Sequence, residues 1–193
     1  MGLEDVAGMR ALPNMAVLQP CDDRETRQAV EYLVDHRGPA YLRLTRQKLD
    51  DVNGDSYRFE FGKAVQLREG NDVCLIGTGA TVQEALKAAD ELDAELISAR
   101  VLNVHTIKPI DADGIKAAAA DCRRIVTVED HNVAGGLGSA VAEVIAQSNG
   151  ARVTILGVRD YGQSGSAEEL YDAYGISGRH VAEAARRAVS GSP

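Results

Sequence analysis

The sequence predicts an α/β protein: a three-layer, doubly wound, mainly parallel sheet preceded by a partial α/β domain. Two observations carry this expectation. Strand-like and helix-like segments alternate along the 193 residues without a detectable internal repeat. The segments are also unevenly shared: residues 53–193 hold about five strands and four or five helices, a complete doubly wound set, whereas residues 1–52 hold one helix and one βαβ unit. The two strands of that unit are apolar on both faces and need further strands and covering helices. The first part is therefore expected to be the tail of a larger domain.

Each element has a local reason. "LEDVAGMRAL" places apolar residues at helical spacing and "PNM" ends the helix, after which "AVLQP" is a short strand closed by Pro20. "CDDRETRQAVEYLVDHRG" is a helix with Asp22 and Glu25 at capping-box spacing and Gly38 at its end, and "PAYLRL" is the next strand. The polar, aperiodic stretch 47–59 carries the turn signal Asn53-Gly54, so it reads as a linker with a boundary near residue 53. Strands are expected at about 61–67 and 72–77, a helix at about 81–92 opened by a capping box from Thr81 to Glu84, and a strand at about 95–102. "IKPID" is expected as a connection. A helix near 111–120, the strand "RIVTVE", a helix at about 137–148 and the strand "RVTILGV" come next. "SAEELYDAY" has a capping box from Ser166 to Glu169, and "SGRHVAEAARRAV" is a helix whose basic end suits its own dipole.

Composition narrows the function classes. With 45% hydrophobic and 26% charged residues the chain is an ordinary globular one, and no run of about 18 apolar residues suggests a membrane span. Residues 1–15 lack the pattern of a signal peptide, so a cytoplasmic location is expected. The net charge of -8 disfavours nucleic acid and acidic membranes as partners. Cys21, Cys74 and Cys122 are odd in number and widely spaced, which argues for reduced, buried thiols rather than disulfides or a zinc site. No G-x-S-x-G, H-E-x-x-H or acidic calcium loop is present, and no metal site is expected.

Four places remain where chemistry could sit. "IGTGAT" puts Gly77 and Gly79 between a strand and a helix N-terminus, either a phosphate-holding turn or a tight turn only, since residue 82 is Val and the dinucleotide pattern is incomplete. "VEDHNVAGGLG" sets Glu129, Asp130 and His131 past a strand's carboxyl end. There His131 could be an acid, a base or an interface switch, or the polar residues could serve the loop and the glycines close packing. His105 reads as structural, and His36 and His180 as helix-end residues. Finally, in "YLRLTRQKLD" Arg46 lies beyond the strand, free to project into a crevice and bind a phosphate or carboxylate, or merely to be solvated.

Taken together, these segments resemble the carboxyl-terminal part of transketolase, in the split bacterial and archaeal form. "LEDVAGMRALPNMAVLQPCDDRET" resembles the stretch just after "GPTHQ" in the pyrimidine-binding domain, and "RLTRQ" resembles the family's "LSRQ". "VHTIKPID", "VEDHNVAGGLGSAVAE" and "YGQSGSAEELYDAYGIS" resemble its C-terminal domain. The resemblance implies that 1–52 is an incomplete remnant of the pyrimidine-binding domain and 53–193 the C-terminal domain. It implies a transferase of the pentose phosphate pathway that moves a two-carbon ketol unit between sugar phosphates, using thiamine diphosphate and magnesium. Arg46 matches the arginine that holds the substrate phosphate, and Glu129 and His131 are left as supporting or interface positions. The family's cofactor-activating glutamate, its stacking aromatic and the "GPTHQ" histidine match nothing in this sequence. Catalytic and cofactor-binding residues are therefore expected elsewhere, and this chain is expected to bind no cofactor and to be inactive without an N-terminal subunit or the missing domains, in a homo- or hetero-oligomer. "EDHN…GGLG" is shared with deoxyxylulose phosphate synthase and oxo-acid dehydrogenase beta chains, which stand as alternatives beside a non-catalytic assembly module.

Overall fold

The computed structural model describes residues 2–148 and 150–191. The chain runs α1 (Asp5–Ala11), β1 (Ala16–Leu18), α2 (Asp23–Asp35), β2 (Ala40–Leu42), β3 (Val65–Arg68), β4 (Val73–Gly77), α3 (Thr81–Asp93), β5 (Ala99–Asn103) and β6 (Thr106–Lys108). It continues through α4 (Ala112–Cys122), β7 (Arg124–Asn132), α5 (Leu137–Ile145), β8 (Arg152–Val158), α6 (Ala167–Ala173) and α7 (Gly178–Ser190).

The main sheet has the order β3-β5-β4-β7-β8, all parallel except β3 against β5. Its central strand β4, "VCLIG", is buried throughout, and alternation assigns its side chains to two cores. Val73 and Leu75 pack with Ala85, Ala89 and Leu92 of α3 and with Val181 and Ala185 of α7. Cys74 and Ile76 face the other way, onto Ile115 of α4 and Leu137 and Val141 of α5. This is the three-layer doubly wound arrangement that the alternating sequence predicts.

A second sheet, β2-β1-β6, makes the first fifty residues part of the same packing unit. β1 and β2 are parallel, while β6 approaches β1 antiparallel from the far side. β6 lies within the stretch expected to be a plain connection. Three residues are too few to show a period, and the strand's partner is remote in sequence. The polar stretch expected as a linker is likewise anchored: Asn53 is buried on Asp22, and the Phe61 ring stacks 4.7 Å from Tyr32.

Several boundaries differ from expectation. β3 begins at Val65 because Gly62, at φ +76°, turns the chain just before it. β5 begins at Ala99 because α3 extends to Asp93 and Leu96 turns at φ +62°. α5 ends at Ile145, whereas β7 continues to Asn132 through an irregularity opposite β8. The capping box at Thr81 does not form: Thr81 is already helical, and its hydroxyl lies 2.8 Å from each of the Thr78 and Val128 carbonyl oxygens, between which its one proton is shared. Glu84 instead accepts from Gly178 N at 2.7 Å and so caps α7. The box from Ser166 to Glu169 is complete.

Candidate functional site

The site is built where the carboxyl end of β2 meets that of β7. Arg43 N closes β2 on Leu18 O, and its guanidinium then turns to two acids: Nε to Asp5 Oδ2 at 3.0 Å and Nη1 to Asp130 Oδ1 at 2.6 Å. Burial opposes the charge on Arg43, but the carboxylates of Asp130 and Asp5 outweigh it and hold the guanidinium above its ordinary value. Burial also works against the Asp5 carboxylate, yet the Tyr41 hydroxyl, donating at 2.6 Å, and Arg43 carry it below the usual range. Gln19 Nε2 completes the group on Asp130 Oδ1 at 2.9 Å.

Arg46, three residues on, is exposed and makes no ion pair among the described residues. It lines two neighbouring cavities. One, about 460 Å³, has the polar residues Asp5, Tyr41 and Arg43 in its wall. The other, about 350 Å³, is walled largely by apolar side chains that include Leu170, Tyr171 and Tyr174. Of the cations in "RLTRQK", Arg43 is therefore spent on structure, while Arg46 keeps its donors for something else.

Glu129 and His131 are both buried to 1% exposure, and neither lines those two cavities. Glu129 accepts from Leu137 N at 2.7 Å and Gly138 N at 2.9 Å, a carboxylate set on the N-terminus of α5. His131 joins the first segment to the sheet: Nδ1 lies 2.6 Å from Asn132 O, and Nε2 accepts from Ala7 N at 3.4 Å.

The Gly77–Gly79 turn sits at the switch point between β5 and β7, where open sheets bind ligands. It is filled from within. Gly79 N donates to Gln19 O at 3.1 Å, and a Cβ on Gly79 would lie 2.5 Å from Gln19 Nε2. The first segment thus occupies the crevice in front of this turn.

One buried polar cluster has no counterpart in the sequence pattern. Glu25, fully buried, accepts from Cys21 N at 2.8 Å, Tyr57 Oη at 2.7 Å and Asn103 Nδ2 at 2.8 Å. The capping spacing marked Glu25, but its side chain reaches Cys21 N rather than Asp22 N, and nothing local announces Tyr57 or Asn103. Burial first and Glu25 second push the Cys21 thiol far above its ordinary value, so it is inert. His105 sits alongside with its ring 4.6 Å from Phe59, and burial holds its pKa down against the pull of Glu25.

Residues 62–181 match the family described as "Transketolase, C-terminal domain", and residues 1–51 match "Transketolase, pyrimidine binding domain". The chain belongs to the transketolase family. It is 40% identical, over 96% of its length, to a 6-deoxy-6-sulfo-D-fructose transketolase subunit of Clostridium sp. (strain MSTE9), and covers 58% of that protein. It is 38% identical, over 95% of its length, to an apulose-4-phosphate transketolase subunit from Phocaeicola vulgatus, covering 59%. A solved split-gene transketolase, described as an inactive beta4 tetramer, superimposes with a TM-score of 0.92 at 38% identity over 100% of this chain and 63% of that one. The chain thus spans about three-fifths of these transketolase relatives. Among the described residues no group of three His, Cys, Asp or Glu side chains converges to hold a metal, and the glycine turn is filled. No step through the family's cofactor or metal is assigned to this chain. No helix of the described residues is long and apolar enough to cross a membrane.

Proposed function

We propose that this chain is the C-terminal portion of a transketolase and supplies the substrate-anion arginine, Arg46, for transfer of a two-carbon ketol unit between sugar phosphates. In this reading the division lies near residue 53, and thiamine diphosphate, its metal and the reacting groups are held by an N-terminal subunit or by the missing domains. The relatives named for 6-deoxy-6-sulfo-D-fructose and apulose 4-phosphate act on sugars with a sulfonate or a phosphate. Both anions suit the planar fork of a guanidinium.

The observation that carries the reading is the difference between the two arginines. Arg43 is neutralised by Asp5 and Asp130, whereas Arg46 stands at two cavities and forms no ion pair among the described residues, the acids of those walls being engaged by Arg43. A hydrogen bond to a charged group contributes about 1.5–3 kcal/mol, so Arg46→Ala should raise KM for the sugar phosphate about 10- to 100-fold. The test is a coupled ketol-transfer assay with the partner subunit, thiamine diphosphate and magnesium. An unchanged KM in Arg46→Ala rejects the assignment.

A further inference from the structure

The smaller cavity beside Arg46 is ill suited to a sugar. Its apolar wall consists of Leu3, Val158, Leu170, Tyr171, Tyr174 and Ile176, of which Val158 and Ile176 are almost wholly buried. The polar ends of both tyrosines are already used: Tyr171 Oη donates to Gln47 Oε1 at 3.2 Å, and Tyr174 Oη donates to Tyr161 O at 3.0 Å while accepting from Gln163 N. Their rings are thereby fixed and left as apolar wall. Against this wall a polyol would lose water and find hydroxyl partners only on the polar side of the cavity, at Arg43, Thr45, Gln47 and Asp130, whereas a flat carbon body would replace water with ring and aliphatic contacts. At about 350 Å³ the space is at the small end of ligand pockets, enough for a single ring with its substituent.

The charge beside this wall is also specific. Asp130 contributes to it, but its Oδ1 is held by Arg43 and Gln19, which leaves Arg46 as the cation without a counter-ion among the described residues. An apolar chamber with an unpaired guanidinium on its lining selects an amphipathic anion. We propose that this cavity is a binding site for a small aryl phosphate, its ring against Tyr171, Tyr174 and Leu170 and its phosphate on Arg46. The proposal rests on Arg46 as an anion anchor, as above, and adds a ligand class that is not a sugar.

The 193-residue chain can be titrated by calorimetry with phenyl phosphate, inorganic phosphate and ribose 5-phosphate. Phenyl phosphate should bind at least tenfold more tightly than inorganic phosphate. Ala167→Phe, at the cavity wall on the first turn of α6, should abolish that advantage and leave inorganic phosphate unchanged. Arg46→Ala should weaken all three. If Ala167→Phe does not melt like the parent chain, ring-proton shifts of Tyr171 and Tyr174 on adding phenyl phosphate to the parent chain give the same answer, expected large for the ester and small for inorganic phosphate. Affinities within threefold of each other, an advantage that survives Ala167→Phe, or unmoved tyrosine rings would overturn the cavity assignment and leave the sugar-phosphate reading standing. Ribose 5-phosphate binding that survives Arg46→Ala would instead overturn the anion anchor common to both.

Discussion

Replacing Gly136 by alanine tests whether Glu129 is a structural carboxylate. Gly136 has φ -84°, a value any residue adopts, so the substitution adds no backbone strain. The penalty is spatial: a Cβ there would lie 1.8 Å from Glu129 Oε2 and 2.7 Å from its Cδ. The carboxylate must leave α5, giving up the bonds from Leu137 N and Gly138 N while it stays buried. Two charge-assisted bonds at about 1.5–3 kcal/mol each set an upper bound of about 6, and partial relaxation brings the expected loss to about 3 kcal/mol. In urea, with a slope of about 2 kcal/mol/M, the midpoint should fall by about 1.5 M at constant slope. A loss below about 1 kcal/mol on that measurement would show that the carboxylate moves freely, and the argument from its two helix bonds would fail.

Other expectations rest on the same geometry. His105 has its pKa lowered by burial from an ordinary 6.5, so its NMR titration midpoint should lie below that value. The unfolded chain then binds the extra proton first, and stability present above pH 6.5 is lost as the pH falls; a midpoint at or above 6.5 contradicts this. The three cysteines are buried, so a thiol reagent should label none of them in the folded chain and all of them in denaturant; prompt labelling of Cys21 would count against its enclosure. β2 is an edge strand, and exposed apolar side chains stand near it in the chain, Val34 on α2 at 78% exposure and Leu44 just past β2 at 58%, so the chain should self-associate in sedimentation, and Val34→Lys with Leu44→Lys should reduce association. A monomer at high concentration refutes that expectation. β1, by contrast, is paired on both sides, by β2 and β6.

Much of the fold was legible because its causes are local. The apolar run "VCLIG" followed by a helical period is a buried strand and its crossover in any context, and the Ser166 to Glu169 box is completed by residues three apart. β6 had no such signature, because a three-residue strand is defined by its partner. Thr81 and Glu84 had the right spacing for a box, but better partners at Val128 and Gly178 took their side chains.

The site divides along the same line. From the sequence alone, "RLTRQ" marked cations at a strand's carboxyl end, and its likeness to a family motif singled out Arg46. What each cation faces depended on Asp5 and Asp130, which lie 38 and 87 residues from Arg43 and meet it only when α1 and β7 close on β2. Glu129 and His131 were recognisable as a polar pair beside glycines, and tertiary packing alone turned one onto a helix end and the other onto α1. Local pattern can state which groups carry charge. Whether that charge is neutralised or left available is a sum over neighbours distant in the chain, and only the closed fold performs it.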